Sequence, residues 1–369
     1  NGTTPHDPEV IAAMRPFLEE EFGNPSSGHR YAVKPRQALD TARCQVACLL
    51  NCGAEEVIFT SGGTEANNWA ILGTARALRG RGRHIVTSRI EHPAVLNVCA
   101  FLEKEGYAVT YLPVDSQGLV SIADVASALR PETVLISIMH ANNEVGTIQP
   151  ISEIAALART RDIRVHTDAA QSAGKIPVDV AAMGVDLLSL AGHKLYAPKG
   201  VGALRIRKGV MLETFMHGAG QEMGRRAGTE NILEIVGLGM ACEIAARNLE
   251  PNCRHMQAMR DRLQAGITAA VPDLRLNGHP ERRLPNTLSL SFRNIAANRL
   301  LEAIGPEVAA SAGAACHAGS VAVSHVLKAM AVPVEWAMGT LRLTTGRMTT
   351  AEEVDRAAQV IGQAVNTLK

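Results

Sequence analysis

The feature that most constrains the fold is a repeated pattern in which a short apolar segment is followed by a polar loop and then by a helical segment. The short segments are rich in aliphatic and β-branched residues, which is typical of buried strands. They span Val57–Thr60, Arg83–Ser88, Thr133–Met139, Arg164–Thr167, Val185–Leu190 and Gly202–Arg207. Because strands that alternate with helices form a largely parallel sheet covered on both faces, the sequence predicts an α/β fold.

Polar side chains follow five of these segments. They are Thr64, His92, Asn143, Asp168 with Gln171, and Lys194. In a sheet of this kind, ligands bind beyond the carboxyl ends of the strands. We therefore expect these six side chains to converge on one crevice.

Lys194 follows an apolar strand, in the turn formed by Gly192, His193 and Lys194. Burial of an ammonium group is expensive, and a desolvated lysine has a lowered pKa that makes it nucleophilic. Such an amine can form a Schiff base with an aldehyde. A solvent-facing lysine in an ordinary loop is the alternative.

The loop from Ser61 to Asn67 contains Gly62, Gly63 and Thr64 and opens a helix. Glycine lets the backbone approach an anion, while free amides and the Thr64 hydroxyl donate hydrogen bonds to it. The loop has neither the Gly-Lys-Ser/Thr of a nucleotide-binding loop nor the dinucleotide fingerprint. It predicts a phosphate site, with a purely structural turn as the alternative.

Together these residues match the demands of pyridoxal phosphate, which needs a lysine, a phosphate site and an acid for its ring nitrogen. Asp168 ends a buried strand, where a protonated pyridine nitrogen would compensate its charge. His92 is predicted to stack on the ring. Gln171 and Asn143 are predicted to hydrogen-bond its phenolic oxygen. For Asp168 a helix cap, and for His92 an ordinary core or surface histidine, remain alternatives.

The pattern changes after the helix predicted from Pro251 to about Val271. Thr287–Phe292 and Leu341–Thr344 alternate polar and apolar residues, which predicts half-exposed antiparallel strands, and Ala351–Leu368 predicts a final helix. We therefore expect a large domain over residues 13–250. A smaller α+β domain is expected from residues 1–12 and 251–369.

Two further residues lie in this second half. Cys316 sits among small residues in the segment Ser311–Ser320, which is expected to be mobile and to carry a nucleophilic thiol. Arg342 alternates with two leucines and is predicted to clamp a carboxylate in the crevice. A packed cysteine and a surface arginine are the respective alternatives.

Composition narrows the class of protein. The chain has 369 residues, 37 basic and 36 acidic, so its charge does not favour nucleic acid as a partner. No apolar run reaches the ~20 residues of a membrane span, although a segment could have been removed before Asn1. The 7 cysteines suit a reducing compartment, with cytoplasm expected. Cys44, Cys48 and Cys52 recur at helical spacing and are predicted to be core residues; no metal site is predicted.

The sequence resembles the family of cysteine desulfurases and selenocysteine lyases, in the class V branch of fold-type I pyridoxal-phosphate enzymes. The resemblance covers essentially the whole chain. Its motifs are Asn24–Ser27, Thr60–Glu65, Glu91–His92, His140–Glu144, Asp168–Gln171, Gly192–Lys194, Gly228–Asn231 and Arg342.

The resemblance implies a homodimer with sites at the interface. It implies that Thr229 reaches the phosphate of the partner's cofactor and that His193 helps to hold the phosphate. It further implies that Lys194 moves the substrate's α-proton, that Arg342 and Asn143 hold its carboxylate, and that Cys316 takes up sulfur before transfer to an acceptor protein.

Two departures bear on the substrate. Ala191 stands where many desulfurases have a phosphate-binding serine, and the loop Gly313–His317 resembles that of selenocysteine lyases. The residue after His92 is Pro93, not the acidic residue of animal selenocysteine lyases. The sequence therefore predicts a cysteine desulfurase, with selenocysteine lyase as one alternative and a non-catalytic iron-sulfur assembly scaffold as another.

Overall fold

The structure is a computed structural model that describes residues 1–317 and 320–369. The side chains of residues 314–322 are outside this description. The predicted thiol of Cys316 and the mobility expected of its loop therefore lie outside the described residues.

The larger sheet contains the six strands expected from the sequence and a seventh, Ala108–Leu112, that was not predicted. They are β1 (Val57–Thr60), β2 (His84–Ser88), β3 (Ala108–Leu112), β4 (Thr133–Ser137), β5 (Arg164–Asp168), β6 (Leu187–Ala191) and β7 (Gly202–Ile206). Their order in the sheet is β1-β7-β6-β5-β4-β2-β3. Strand β7 runs antiparallel to both neighbours, and the other pairs are parallel, so the prediction of a mostly parallel sheet is confirmed.

The central strands are buried on both faces. Ile85 and Leu135 pack into one hydrophobic core, whereas the next residues, Val86 and Ile136, pack into another. Successive side chains of a strand point to opposite faces, so helices must cover both. This is why these strands read as continuous apolar runs.

The helices of the chain flank the two sheets. They are α1 (Pro8–Glu19), α2 (Val33–Leu50), α3 (Gly63–Ala77), α4 (Pro93–Lys104), α5 (Ile122–Ala128), α6 (Ile151–Arg159), α7 (Val180–Met183), α8 (Gln221–Gly224), α9 (Ile232–Arg247), α10 (Leu249–Ala270), α11 (Ala297–Ile304), α12 (His325–Ala329), α13 (Val334–Ala337) and α14 (Ala351–Leu368). Within the described ranges, no helix is both long and apolar enough to cross a bilayer.

The second half of the chain builds a separate antiparallel sheet. Its strands are β8 (Leu274–Asn277), β9 (Thr287–Phe292), β10 (Ser311–Ala312) and β13 (Thr340–Thr344), in the order β10-β13-β9-β8. The strands β11 (Ala314–His317) and β12 (Ser320–Val323) pair antiparallel with each other.

The prediction that β9 is half-exposed is wrong, because all six of its residues are buried. Ser291 on its polar face bonds to the Asn277 amide (2.8 Å) and to the Thr340 hydroxyl (2.6 Å). Polar alternation here marks a buried hydrogen-bonded layer, since buried hydroxyls need partners.

The prediction that Cys44 and Cys48 are core residues is also wrong, because both are exposed on α2. Cys52 lies beyond the end of that helix and is half-buried. Helical spacing placed the thiols along one side of α2, but the buried side is the one with Leu39, Val46 and Leu50. Among the described side chains, no cluster of His, Cys, Asp or Glu could hold a metal ion.

Candidate active site

The side chains that follow the strands line one cavity of 300 Å³. The cavity lining includes Gly63, Thr64, Asn67, His92, Asn143, Asp168, Gln171, His193, Lys194 and Arg342. The first nine come from the larger sheet or the loops and helix starts beside it, and Arg342 comes from β13 of the smaller sheet. The cavity therefore lies between the two sheets, beyond the carboxyl ends of the parallel strands.

Lys194 is the last residue of a short 3-10 turn, Gly192–Lys194, that directly follows β6. Its Nζ donates a hydrogen bond to the carbonyl oxygen of Asn1 at 2.7 Å. Burial lowers the pKa of this amine, the charge of Arg342 lowers it further, and Asp168 opposes the shift. A larger fraction of Lys194 is therefore neutral and nucleophilic than of a lysine in water.

Asp168 ends β5 and is 7% exposed. Its Oδ1 accepts from the backbone N–H of Ala170 at 2.9 Å, as a turn-capping aspartate would. Its Oδ2 accepts from the Asn67 side chain at 2.6 Å. Two neutral donors leave the negative charge without a cationic partner among these contacts, which suits a cationic group in the cavity.

The anion-binding end of the cavity is the start of α3. Gly62 precedes this helix with a φ of 147°, which disfavours any side chain, and the helix has no side-chain cap. The first N–H groups of a helix have no intrahelical acceptor, so those at Gly63 and Thr64 are suited to an anion. A Cβ at Gly63 would lie 3.1 Å from the Cβ of Ala191, so there is little room for a side chain here.

Two histidines, His92 and His193, line the cavity. His92 caps α4, and its Nδ1 accepts from the backbone N–H of Ala94 at 3.1 Å. The neutral ring therefore carries its proton on Nε2. Burial is the main cause that lowers the pKa of His92 and of His193, which favours the neutral form of both rings.

Arg342 reaches the cavity from β13. Its guanidinium donates to the carbonyl oxygen of Asn143 at 3.4 Å and to the Ser311 hydroxyl at 3.1 Å. An arginine has five N–H donors, so these two bonds leave donors for a carboxylate. The surface-arginine alternative does not describe this position.

The structure separates one predicted residue from this group. Thr229 is exposed and lines a different cavity, together with Ser61, Gly200 and Arg226. It does not line the cavity that Lys194 of its own chain lines.

Sequence reasoning missed three buried residues beside the cavity: Asn67, Lys175 and Glu91. Asn67 is the partner of Asp168, and Lys175 hydrogen-bonds Gln171. Glu91 accepts from the Ser88 hydroxyl at 2.5 Å and from the backbone N–H of Met139. For Asn67 the available signal was its place one turn after Gly63 on α3.

Glu91 gives the stability of the fold a predicted pH dependence. Burial raises its pKa to about 8, so the folded protein holds the proton that the unfolded chain releases near its ordinary value of 4.5. The stabilisation is therefore complete below about 4.5 and lost as the pH rises through about 8. In Glu91→Gln, which stays neutral, we expect the fall in unfolding free energy between these pH values to be smaller by a few kcal/mol.

Denaturant unfolding of both proteins across this pH range measures the effect. Glu302→Gln, at an exposed position, is the matched control and should follow the native protein. Native and Glu91→Gln curves that stay parallel would contradict the prediction.

The residues present fit pyridoxal phosphate. The cavity has an amine of lowered pKa, an anion site at a helix start, and a buried carboxylate whose hydrogen-bond donors in the described structure are neutral. These three groups correspond to the aldehyde, the phosphate and the ring nitrogen of the cofactor.

Comparison with known proteins agrees with this chemistry. The family model for class-V aminotransferases matches residues 1–357. A cysteine desulfurase IscS of Methanosarcina thermophila is 48% identical over 100% of this chain and 91% of its own length. A cysteine desulfurase of Pongo abelii is 44% identical over 100% of this chain and 81% of its own length.

Solved structures show the same architecture. A NifS-like protein superposes with a TM-score of 0.93 at 37% identity, covering 99% of this chain and 98% of that chain. DndA from Streptomyces lividans superposes with a TM-score of 0.80 at 36% identity, covering 93% of this chain and 98% of that chain. The chain belongs to the class-V aminotransferase family, as a pyridoxal-phosphate enzyme among that family's cysteine desulfurases.

Proposed function

We propose that this protein converts L-cysteine to L-alanine and leaves the sulfur as a persulfide on Cys316, for transfer to an acceptor protein. The observation that carries the proposal is the meeting of Lys194, Asp168 and Arg342 in one cavity. Support comes from the cysteine desulfurases described above and from a structure titled SspA in complex with cysteine, which is 37% identical with a TM-score of 0.81 over 94% of this chain and 98% of that chain.

Each cavity residue has a role toward the cofactor, which supplies an electron sink when bound. Lys194 holds its aldehyde carbon, and Asp168 pairs with its ring nitrogen. His92 stacks on the ring, and Gln171 and Asn143 donate to its phenolic oxygen. Gly63, Thr64 and His193 hold the phosphate. Thr229 is proposed to complete the phosphate site of a partner subunit.

Two residues act on the substrate. Arg342, with Asn143, binds the substrate carboxylate through the donors that its present contacts leave free. When cofactor and substrate are bound, Lys194 would take the proton from the substrate Cα through Nζ. Its lowered pKa favours the neutral amine that this step requires.

The Cys316 thiolate attacks the sulfur of the substrate. A bond forms between the two sulfur atoms, and the bond between the substrate sulfur and Cβ breaks. The electron pair of the broken bond ends, after a proton is added, in a C–H bond of alanine. This role rests on the sequence position of Cys316.

We also propose the organisation of the whole protein. We propose a large domain of residues 13–250 and a small domain of residues 1–12 and 251–369. The separate cores of the two sheets support the boundary at residues 250 and 251, whereas Val10 packs into the core of the larger sheet. Exposed Met211 (78%) and Met223 (51%) support a homodimer, because large apolar side chains at the surface are typical of an interface. Exposed Cys44 and Cys48, free of disulfides, support a cytoplasmic location.

Alanine release from L-cysteine and from L-selenocysteine tests the proposal. We expect turnover of cysteine together with a persulfide on the protein and visible absorbance from the lysine-bound cofactor. Turnover of selenocysteine with cysteine inert would identify a selenocysteine lyase. A protein that takes up no cofactor and releases no alanine would be a scaffold.

A further inference from the structure

Lys175 is a buried lysine that forms no ion pair with an acidic side chain among the described residues. The residue is 6% exposed. Burial and the neighbouring charge of Lys194 lower its pKa to about 7, and in the part of the chain that the structure describes no acidic group opposes this shift. A buried ammonium is costly unless hydrogen bonds or an anion compensate it.

The hydrogen bonds of Lys175 go to one residue. Its Nζ donates to the backbone carbonyl of Gln171 at 2.9 Å and to the side-chain Oε1 of Gln171 at 3.3 Å. The Nε2 of the same amide donates to the carbonyl oxygen of Asn1 at 3.3 Å, the oxygen that also accepts from Lys194.

These contacts fix which way the amide faces. An ammonium group only donates, so the amide must present its oxygen to Lys175. The NH₂ group of Gln171 therefore points away from Lys175, toward Lys194 and the cavity that Gln171 lines. Without Lys175, only the longer bond from Nε2 to the carbonyl oxygen of Asn1 (3.3 Å) would hold the amide in this orientation. A turned amide would present its oxygen to the cavity, where it would repel an anionic oxygen.

We propose that Lys175 is a positioning residue that orients Gln171 so that its Nε2 donates to the phenolic oxygen of the bound cofactor. The inference rests on the proposed function, which places that oxygen beside Gln171. The phenolic oxygen carries negative charge, so it is also the anion that the buried ammonium of Lys175 lacks.

The charged and titratable groups around Lys175 decide whether its loss raises or lowers the pKa of the nitrogen that joins Lys194 to the cofactor. Those that line the adjoining cavity with Lys175 are Lys194, Tyr196, Arg342 and Glu353. When the nitrogen that joins Lys194 to the cofactor loses its proton, it also loses its positive charge. The phenolic oxygen then keeps its negative charge without a positive charge on that nitrogen. A donor and a cation beside the oxygen stabilise this deprotonated form, so they lower the pKa of the nitrogen.

The test is a pH titration of the visible absorbance of the cofactor-loaded protein. In Lys175→Met we expect the midpoint to rise by about one pH unit, since the donor is no longer oriented and the cation is gone. Lys175→Arg, which keeps a cationic donor, should restore most of the native midpoint. Lys104→Met, at an exposed position at the end of α4, is the matched control and should leave it unchanged.

A double-mutant cycle separates positioning from a general effect on the fold. If Lys175 acts through Gln171, Lys175→Met should shift the midpoint much less in a Gln171→Ala background than in the native one. Lys175→Gln replaces the methionine variant if that variant does not fold. A midpoint within 0.2 pH units of native in the loaded variant, or an equal shift in both backgrounds, would overturn the inference while leaving the proposed function intact. A native protein that takes up no pyridoxal phosphate overturns both.

Discussion

Replacing Lys194 by alanine is expected to lower alanine release from L-cysteine by at least ~10⁴-fold, because the step that moves the Cα proton loses its base. The variant also loses the amine that holds the cofactor aldehyde, so the visible absorbance of the lysine-bound cofactor should disappear. Cofactor could still enter, since Asp168 and the start of α3 do not depend on Lys194 for their hydrogen bonds. Absorbance spectra and alanine assays on the same loaded sample measure both effects.

Lys199→Ala is the matched control for this variant. Lys199 lies five residues further along the chain and is exposed, so its loss should change neither the spectrum nor the rate by more than about twofold. Substantial turnover by Lys194→Ala would show that another group moves the proton. Lys175, a buried amine with a pKa lowered to about 7, would then be the first to examine.

The convergence of polar residues could be predicted from the sequence because it depends on topology. Each of the strands β2, β4, β5 and β6 is a short segment followed by a polar loop, and parallel strands end at the same edge of a sheet. Lys194, Asp168 and His92 therefore had to come near one another once the strands were recognised.

The partners of these residues could not be predicted in the same way. Asn67 lies on α3 and reaches Asp168 across 101 residues of sequence. Nothing in the local sequence of either residue indicates this contact, because the contact is set by the packing of a helix on a strand. Lys175 was not singled out in the sequence, because its burial and its contact with Gln171 are also set by tertiary packing.

Buried polar layers were also hidden from the sequence. His166 in β5 bridges Ser137 in β4 (2.8 Å) and Ser189 in β6 (2.9 Å), and burial lowers its pKa to about 3, which keeps it neutral. In β9, the alternation of polar and apolar residues was taken as a sign of exposure. In this fold, such residues are buried because neighbouring strands supply their hydrogen-bond partners.

The sequence also did not allow us to predict which face of a helix is exposed. The spacing of Cys44 and Cys48 correctly placed them one turn apart on α2, but spacing alone does not say which face is covered. The buried face of α2 is defined by α9, whose Leu238 and Ala241 share its core. Two exposed thiols remain on the other side, and they provide a control for the next prediction.

Replacing Cys316 by alanine is expected to lower alanine release from L-cysteine by at least ~10³-fold, which corresponds to about 4 kcal/mol of activation free energy. The substrate sulfur then has no thiolate to accept it, and a thiolate leaves carbon poorly without one. The bond from cysteine to the cofactor depends on Lys194, Asp168 and Arg342, so cysteine should still change the visible spectrum of the variant. Mass spectrometry of the native protein after reaction with cysteine should show one added sulfur atom on the peptide that contains Cys316.

Cys48→Ala is the matched control, because it removes an exposed thiol that lies outside the cavity lining. It should retain native turnover and the added sulfur on Cys316. Full cysteine turnover by Cys316→Ala would contradict the proposed sulfur transfer and favour an enzyme that uses the same cofactor without a protein nucleophile, as an aminotransferase does. A variant that loses turnover of cysteine but keeps that of selenocysteine agrees with the mechanism, since a selenol is more acidic and leaves without assistance. The comparison therefore tests the nucleophile separately from the cofactor chemistry on which both substrates depend.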